Sequence, residues 1–142
     1  MASKLPRNGY ILGLDIGGKR IGTALTSVIA RLPQPGLTLD ATDDPIGKIK
    51  AMVSHEDIKL IVVGLPRNLD GLETAQSQEI RKFTNELQKS VKVPVEFADE
   101  SLSSVRADTL SHDTSFKNVS RDSLAACFIL EEFLENTTIE TE

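Results

Sequence analysis

The hydrophobic pattern changes period several times along the chain, and each change marks an element. Tyr10–Ile16, YILGLDI, is an apolar run of strand length, and residues 20–26, RIGTALT, make a second. Gly17-Gly18 stands between them and predicts a hairpin turn at positive φ. "LPQPGLTL" predicts a loop followed by a short third strand at 37–39. Asp44-Pro45 reads as an N-cap followed by proline at the first helical position. Ile46, Ile49, Met52 and Val53 then form a helical stripe. "LIVVG" at 60–64 is continuously apolar, the pattern of a strand covered on both faces. "PRNLDG" predicts a loop, and residues 73–89 a helix carrying Ile80, Phe83 and Leu87. "VPVEFA" at 93–98 is another strand, and residues 103–110 a short helix. The last helix is expected over 120–135, with its apolar residues on one side. A hairpin and third strand followed by alternating helices and strands predict an α/β fold, a mixed sheet with helices packed on it. Residues 1–8 and 136–142 read as a loose lead-in and a polar tail.

Composition narrows the class without naming a function. The 142 residues suit one domain with one core. At 39% hydrophobic and 26% charged, the chain reads as an ordinary soluble protein. No apolar run approaches the roughly 20 residues of a membrane span, so no membrane association is expected. The opening MASKLPRNGY lacks the apolar stretch of a signal peptide. Cys127 is the only cysteine, which excludes an internal disulfide and suggests a cytoplasmic site. His55 and His112 lie far apart, fit no zinc pattern, and offer no catalytic role. The net charge of −5 runs against nucleic-acid binding by bulk charge; local basic patches or bound cations would be needed.

Three acids change that picture. Strand side chains alternate between faces, so Ile11, Gly13, Asp15 and Gly17 share one face of the first strand. Asp15 therefore lies on the face from which bulk is missing, where a ligand or another backbone can come close. Turn formation and sheet twist explain Gly17 and Gly18 equally well, and Gly13 poorly. In "EFADES", Asp99 and Glu100 fall where a strand ends, the usual ligand side of an α/β sheet; a solvated turn acid is the plain alternative. Asp122 opens the last helix on the same helical face as Ala125, Ala126, Ile129 and Phe133, which points it toward the sheet. The helix dipole alone also favours an acid there. Converging carboxylates repel one another unless hard cations such as Mg²⁺ or Mn²⁺ bind them. Two such ions about 4 Å apart serve phosphoryl transfer.

The stretches "LGLDIGGKRIGTAL", "LIVVGLPRNLDG", "VPVEFADESLSS" and "RDSLAACFILEEFL" occur in order over nearly the whole chain. Together they resemble the YqgF/RuvX family of pre-16S rRNA nuclease and Holliday junction resolvase-like proteins. The resemblance implies a ribonuclease H-like fold, with a mixed five-stranded sheet and helices on both faces, in one domain spanning 1–142. It implies a metal-dependent endonuclease in which Asp15, Glu100 and Asp122 are the catalytic acids and hold two Mg²⁺ or Mn²⁺ ions. Lys19, Arg20, Arg67, Asn68, Lys117 and Arg121 border these motifs and are expected to contact nucleic acid. A solvated surface charge, or turn chemistry for Asn68, is the alternative for each.

The implied substrate is the 5′ end of pre-16S rRNA, with branched DNA as the alternative, and the implied assembly is a monomer or homodimer. The chain departs from the family pattern at Gly18, where threonine is usual, and at Ser101, where arginine is common. The second loss touches substrate grip, since serine cannot give arginine's bidentate phosphate contact. A non-catalytic nucleic-acid-binding assembly factor is therefore carried as a competing reading. "LDIGG" also resembles the phosphate motif of sugar kinases and actin-like ATPases, but those need two lobes and this chain supplies one.

Overall fold

A computed structural model describes residues 5–66, 74–100 and 120–136, without the side chains of Asp99 and Glu100. Five strands and three helices are built from them: β1 (Tyr10–Ile16), β2 (Arg20–Ser27), β3 (Gln34–Asp40), α1 (Pro45–His55), β4 (Ile58–Pro66), α2 (Ala75–Ser90), β5 (Val95–Glu100) and α3 (Arg121–Glu135). The sheet order is β3-β2-β1-β4-β5. β1, β2 and β3 form an antiparallel meander, and β4 and β5 join β1 in parallel. The sheet is therefore mixed and five-stranded, as expected. The expected helix at 103–110 lies outside the described residues.

Alternation along β1 divides the core. Leu12, Leu14 and Ile16 pack with Ile49 of α1 and with Ile80 and Leu87 of α2. Ile11 packs on the opposite face with Ala126, Ile129, Leu130 and Phe133 of α3. Each helix has a local reason to start where it does. Asp44 adopts the left-handed conformation (φ 46°) and accepts from the Gly47 N–H. Thr74 accepts from the Ser77 N–H at 3.1 Å, and Ser120 from the Ser123 N–H at 3.0 Å. These caps satisfy amide groups that the first turn leaves without helical partners.

Several details differ from the sequence expectation. β3 is longer than 37–39, because Pro35 and Gly36 sit in an outermost strand, where a missing N–H costs no ladder bond on the open side. Gly17 and Gly18 do not take positive φ; among the described glycines only Gly9 does (φ 84°). The β1–β2 connection is instead a three-residue loop closed by the Gly17 N–H donating to the Arg20 carbonyl at 2.9 Å. The last helix is buried around most of its circumference, with every residue from Ser123 to Leu130 buried. Leu5 is not loose: it is buried in the core cluster beneath α3. Asn136 likewise caps α3, its backbone N–H and its Nδ2 both donating to the Glu132 carbonyl.

Candidate active site

The sheet register brings Asp15 and Asp122 together. Asp15 stands directly opposite Gly22 in the β1–β2 pair, and directly opposed residues project to the same face. A Cβ built on Gly22 would collide with the Asp122 carbonyl and lie 2.8 Å from the Asp122 Cβ. The start of α3 is thus seated on Gly22, beside Asp15, and only glycine permits that approach. Gly13 performs the same service one turn further along. Its Cβ would lie 2.6 Å from Leu130 Cγ and 3.1 Å from the Ala126 carbonyl. The bulk missing around Asp15 therefore admits a helix, and that helix delivers the second acid.

Hydroxyl groups fix α3 to the neighbouring edge strand. Ser123 Oγ donates to the Gly36 carbonyl at 2.9 Å, and the Thr38 hydroxyl bonds those of Ser120 and Ser123. Sequence reasoning missed Gly22, Thr38 and Ser123. The available signal was a strand-interior glycine opposite the candidate acid, together with the serine spacing of an N-cap.

Glu100 ends β5, paired with Pro66 at the end of β4. Val62 aligns with Gly13 on one side and Glu96 on the other. Asp15 and Glu100 therefore both lie past that row, toward the carboxyl ends of parallel strands, where open α/β sheets bind ligands. Backbone alternation gives residue 100 the same sheet face as residue 98, and Ala98 packs against the cluster beneath α3. Among the described side chains no three His, Cys, Asp or Glu residues group as a metal site, and the Glu100 side chain is not among them.

Asp122 already engages a cation. Arg20 Nε donates to Asp122 Oδ2 at 3.0 Å, with the arginine side chain 65% exposed and the aspartate 18%. An exposed pair of this kind contributes about 0–1 kcal/mol to stability. Its interest is chemical, because it shows that the carboxylate faces a place where positive charge is accepted. Hard carboxylate oxygens on a half-buried Asp15 and on Asp122 are of the kind that suits a hard divalent cation. Of the expected nucleic-acid contacts, Lys19, Arg20 and Arg121 are exposed at this end of the sheet and helix. Arg67, Asn68 and Lys117 lie outside the described residues, as does Ser101.

Cys127 is a buried thiol within α3, and burial pushes its pKa up to about 12. Buried between Ala126 and Phe128, it packs as a small apolar side chain.

Comparison with known proteins shows the family and the fold. Over 139 residues the chain is 38% identical to a protein of Cereibacter sphaeroides named "Putative pre-16S rRNA nuclease", covering 94% of this chain and 87% of that one. A protein of the same name from Orientia tsutsugamushi is 36% identical over 130 residues, covering 88% and 83%. Among solved structures, Thermus thermophilus RuvC in complex with a Holliday junction substrate superposes with a TM-score of 0.51 at 12% identity, covering 89% of this chain and 94% of that chain. The fowlpox virus resolvase in complex with Holliday junction DNA gives 0.51 at 14% identity, covering 88% and 99%. The fold is thus ribonuclease H-like, as the resemblance implied. The model of the RuvX family, described as Holliday junction resolvase, matches residues 9–136, and the chain belongs to that family.

Proposed function

We propose that this protein is a divalent-metal-dependent endonuclease that hydrolyses phosphodiester bonds, acting in the cytoplasm on the 5′ end of pre-16S rRNA. The observation that carries the reading is the seating of Asp122 over Gly22, directly beside Asp15, at the sheet end where β5 delivers Glu100. Asp15, Asp122 and Glu100 supply oxygen ligands of the kind that Mg²⁺ and Mn²⁺ prefer. Bound in a pair, such ions supply an activated water and stabilise the leaving oxygen of an in-line displacement. Rigid β1 holds Asp15, and the glycine-seated first turn of α3 holds Asp122, so the two carboxylates need little reorganisation. Arg20 orients Asp122 through Nε, and Lys19 and Arg121 add positive charge for the phosphate backbone of an acidic protein's substrate.

The names of the curated relatives support the ribosomal RNA substrate. The description of the family model favours branched DNA as a second reading. Symmetric cutting of a four-way junction needs two active sites, so that reading requires a homodimer where the first allows a monomer. A leader RNA and a synthetic four-way junction, incubated side by side with and without Mn²⁺, separate the two. Asp15→Asn is expected to lower cleavage by about three orders of magnitude, with an unchanged melting temperature, since removal of a catalytic carboxylate withdraws transition-state stabilisation. Cleavage retained by this variant would sink the assignment of Asp15. Tight substrate binding by the wild type without any Mn²⁺-dependent cleavage would favour the non-catalytic assembly factor.

A further inference from the structure

Past Asp122 the same face of the sheet opens into a depression of about 550 Å³ lined by Lys19, Arg20, Thr38, Leu39, Asp40 and Thr42. Register fixes its place. Gly22 pairs with Thr38 and Arg20 with Asp40, so the depression begins one step along the face from the glycine that seats Asp122. Arg20 belongs to both regions, since its Nε already donates to Asp122. The lining carries two cations and one carboxylate. That carboxylate is oriented by its own turn: Asp40 Oδ1 accepts from the Thr42 N–H at 2.8 Å and from the Thr42 hydroxyl at 2.6 Å. These bonds hold the Asp40 carboxyl below its ordinary pKa, so it is ionised at neutral pH.

An ionised carboxylate accepts hydrogen bonds and donates none. A ligand meeting this lining must therefore bring an anion for Lys19 and Arg20 and a donor for Asp40. A phosphodiester group alone brings no donor and is repelled by Asp40. A deoxynucleotide unit brings the phosphate but no hydroxyl at the 2′ position. A ribonucleotide unit brings both, and the 2′-hydroxyl is the group by which proteins tell RNA from DNA at a given site.

We propose that this depression binds one ribonucleotide unit of the substrate strand, its phosphate on Lys19 and Arg20 and its 2′-hydroxyl donating to Asp40. The proposal rests on the nucleic-acid reading above and sharpens it: the protein selects ribose at one position beside the cleavage site.

The test uses binding, so that it stands apart from cleavage. Three oligonucleotides of one pre-16S leader sequence are compared by fluorescence anisotropy in Ca²⁺: all-ribose, all-deoxyribose, and deoxyribose with a single ribonucleotide moved along the strand. The wild type should favour the single ribonucleotide at one position by about tenfold, the scale of a hydrogen bond to a charged group. Asp40→Ala should abolish that preference while leaving deoxy-strand affinity unchanged or raised. Asp40→Asn, which keeps an acceptor oxygen for Thr42, should retain the turn and lose most of the preference. Lys19→Gln should weaken ribose and deoxyribose strands alike and reduce the salt dependence of both. No single-position ribose preference in the wild type, or a preference that survives Asp40→Ala, overturns the proposal, as does failure to bind any of the three strands. If Asp40→Ala removes the preference but neither leader RNA nor junction is ever cut, the ribose subsite stands and the nuclease reading falls.

Discussion

The two faces of the sheet are built on different rules. The face covered by α1 and α2 is packed with branched aliphatic residues from Leu12, Leu14 and Ile16 outward, and it seats its helices on side chains. The face covered by α3 has glycines where side chains would stand, at Gly13 and Gly22, and it seats its helix on backbone. The first arrangement gains stability by burying apolar area. The second gives up some of that area so that a helix can bring its first turn, and one acid, against a strand carrying another. Stability and chemistry are thus separated across a single layer of backbone.

That separation can be broken from either side. Leu12→Ala, on the aliphatic face, should have the largest effect on stability, about 2–5 kcal/mol. Denaturant melts would measure it, while cleavage per folded molecule stays near wild type. Lost specific activity in the folded fraction would show that the two faces are coupled. Gly22→Ala should lower stability by less, about 1–3 kcal/mol, yet it should cut cleavage far more than the unfolded fraction accounts for, because α3 must shift away from Asp15. Preserved activity would mean that Asp122 need not sit where Gly22 places it.

Cys127 gives a smaller effect with a defined pH sign. Its thiol pKa is raised by burial to about 12, against an ordinary value near 9.0. Its stabilising contribution is therefore complete below about pH 9 and declines as the pH rises toward 12, because the unfolded chain ionises first. Iodoacetamide labelling at pH 8 should be slow in the folded protein and fast in urea; rapid labelling of the folded state would contradict the burial. Gly18→Thr should have the smallest effect, within about 0.5 kcal/mol. A Cβ there meets nothing within 4 Å, and the backbone is not left-handed. The departure from the family's usual threonine thus has no steric cause, and restoring it should leave the melting temperature unchanged.

Much of this was legible along the chain. Apolar period, together with turn and capping signals, pointed to all eight described elements, because amphipathic burial and local turn chemistry act over neighbouring residues. It also assigned Asp15 to the face opposite Leu12 and Leu14, since strand alternation leaves no freedom. The ends were less legible. Pro35 and Gly36 read as loop because their propensities describe an average strand, and an outer strand relaxes them. Leu5 read as lead-in because one isolated leucine carries no period. The glycines around Asp15 announced a close approach, but a ligand and a helix leave the same signature in a sequence.

The sequence by itself determined the α/β class, the faces on which Asp15 and Asp122 sit, and the family. Only the tertiary structure decided that Gly22 is the seat of Asp122, that Arg20 reaches that acid, and that Asp40 joins Lys19 around a common depression. The physical reason is the range of the interactions involved. Periodicity and capping act over a few neighbouring residues and are written locally. The Arg20–Asp122 contact joins residues separated by 102 positions, and it exists only once the sheet register and the packing of α3 are both fixed.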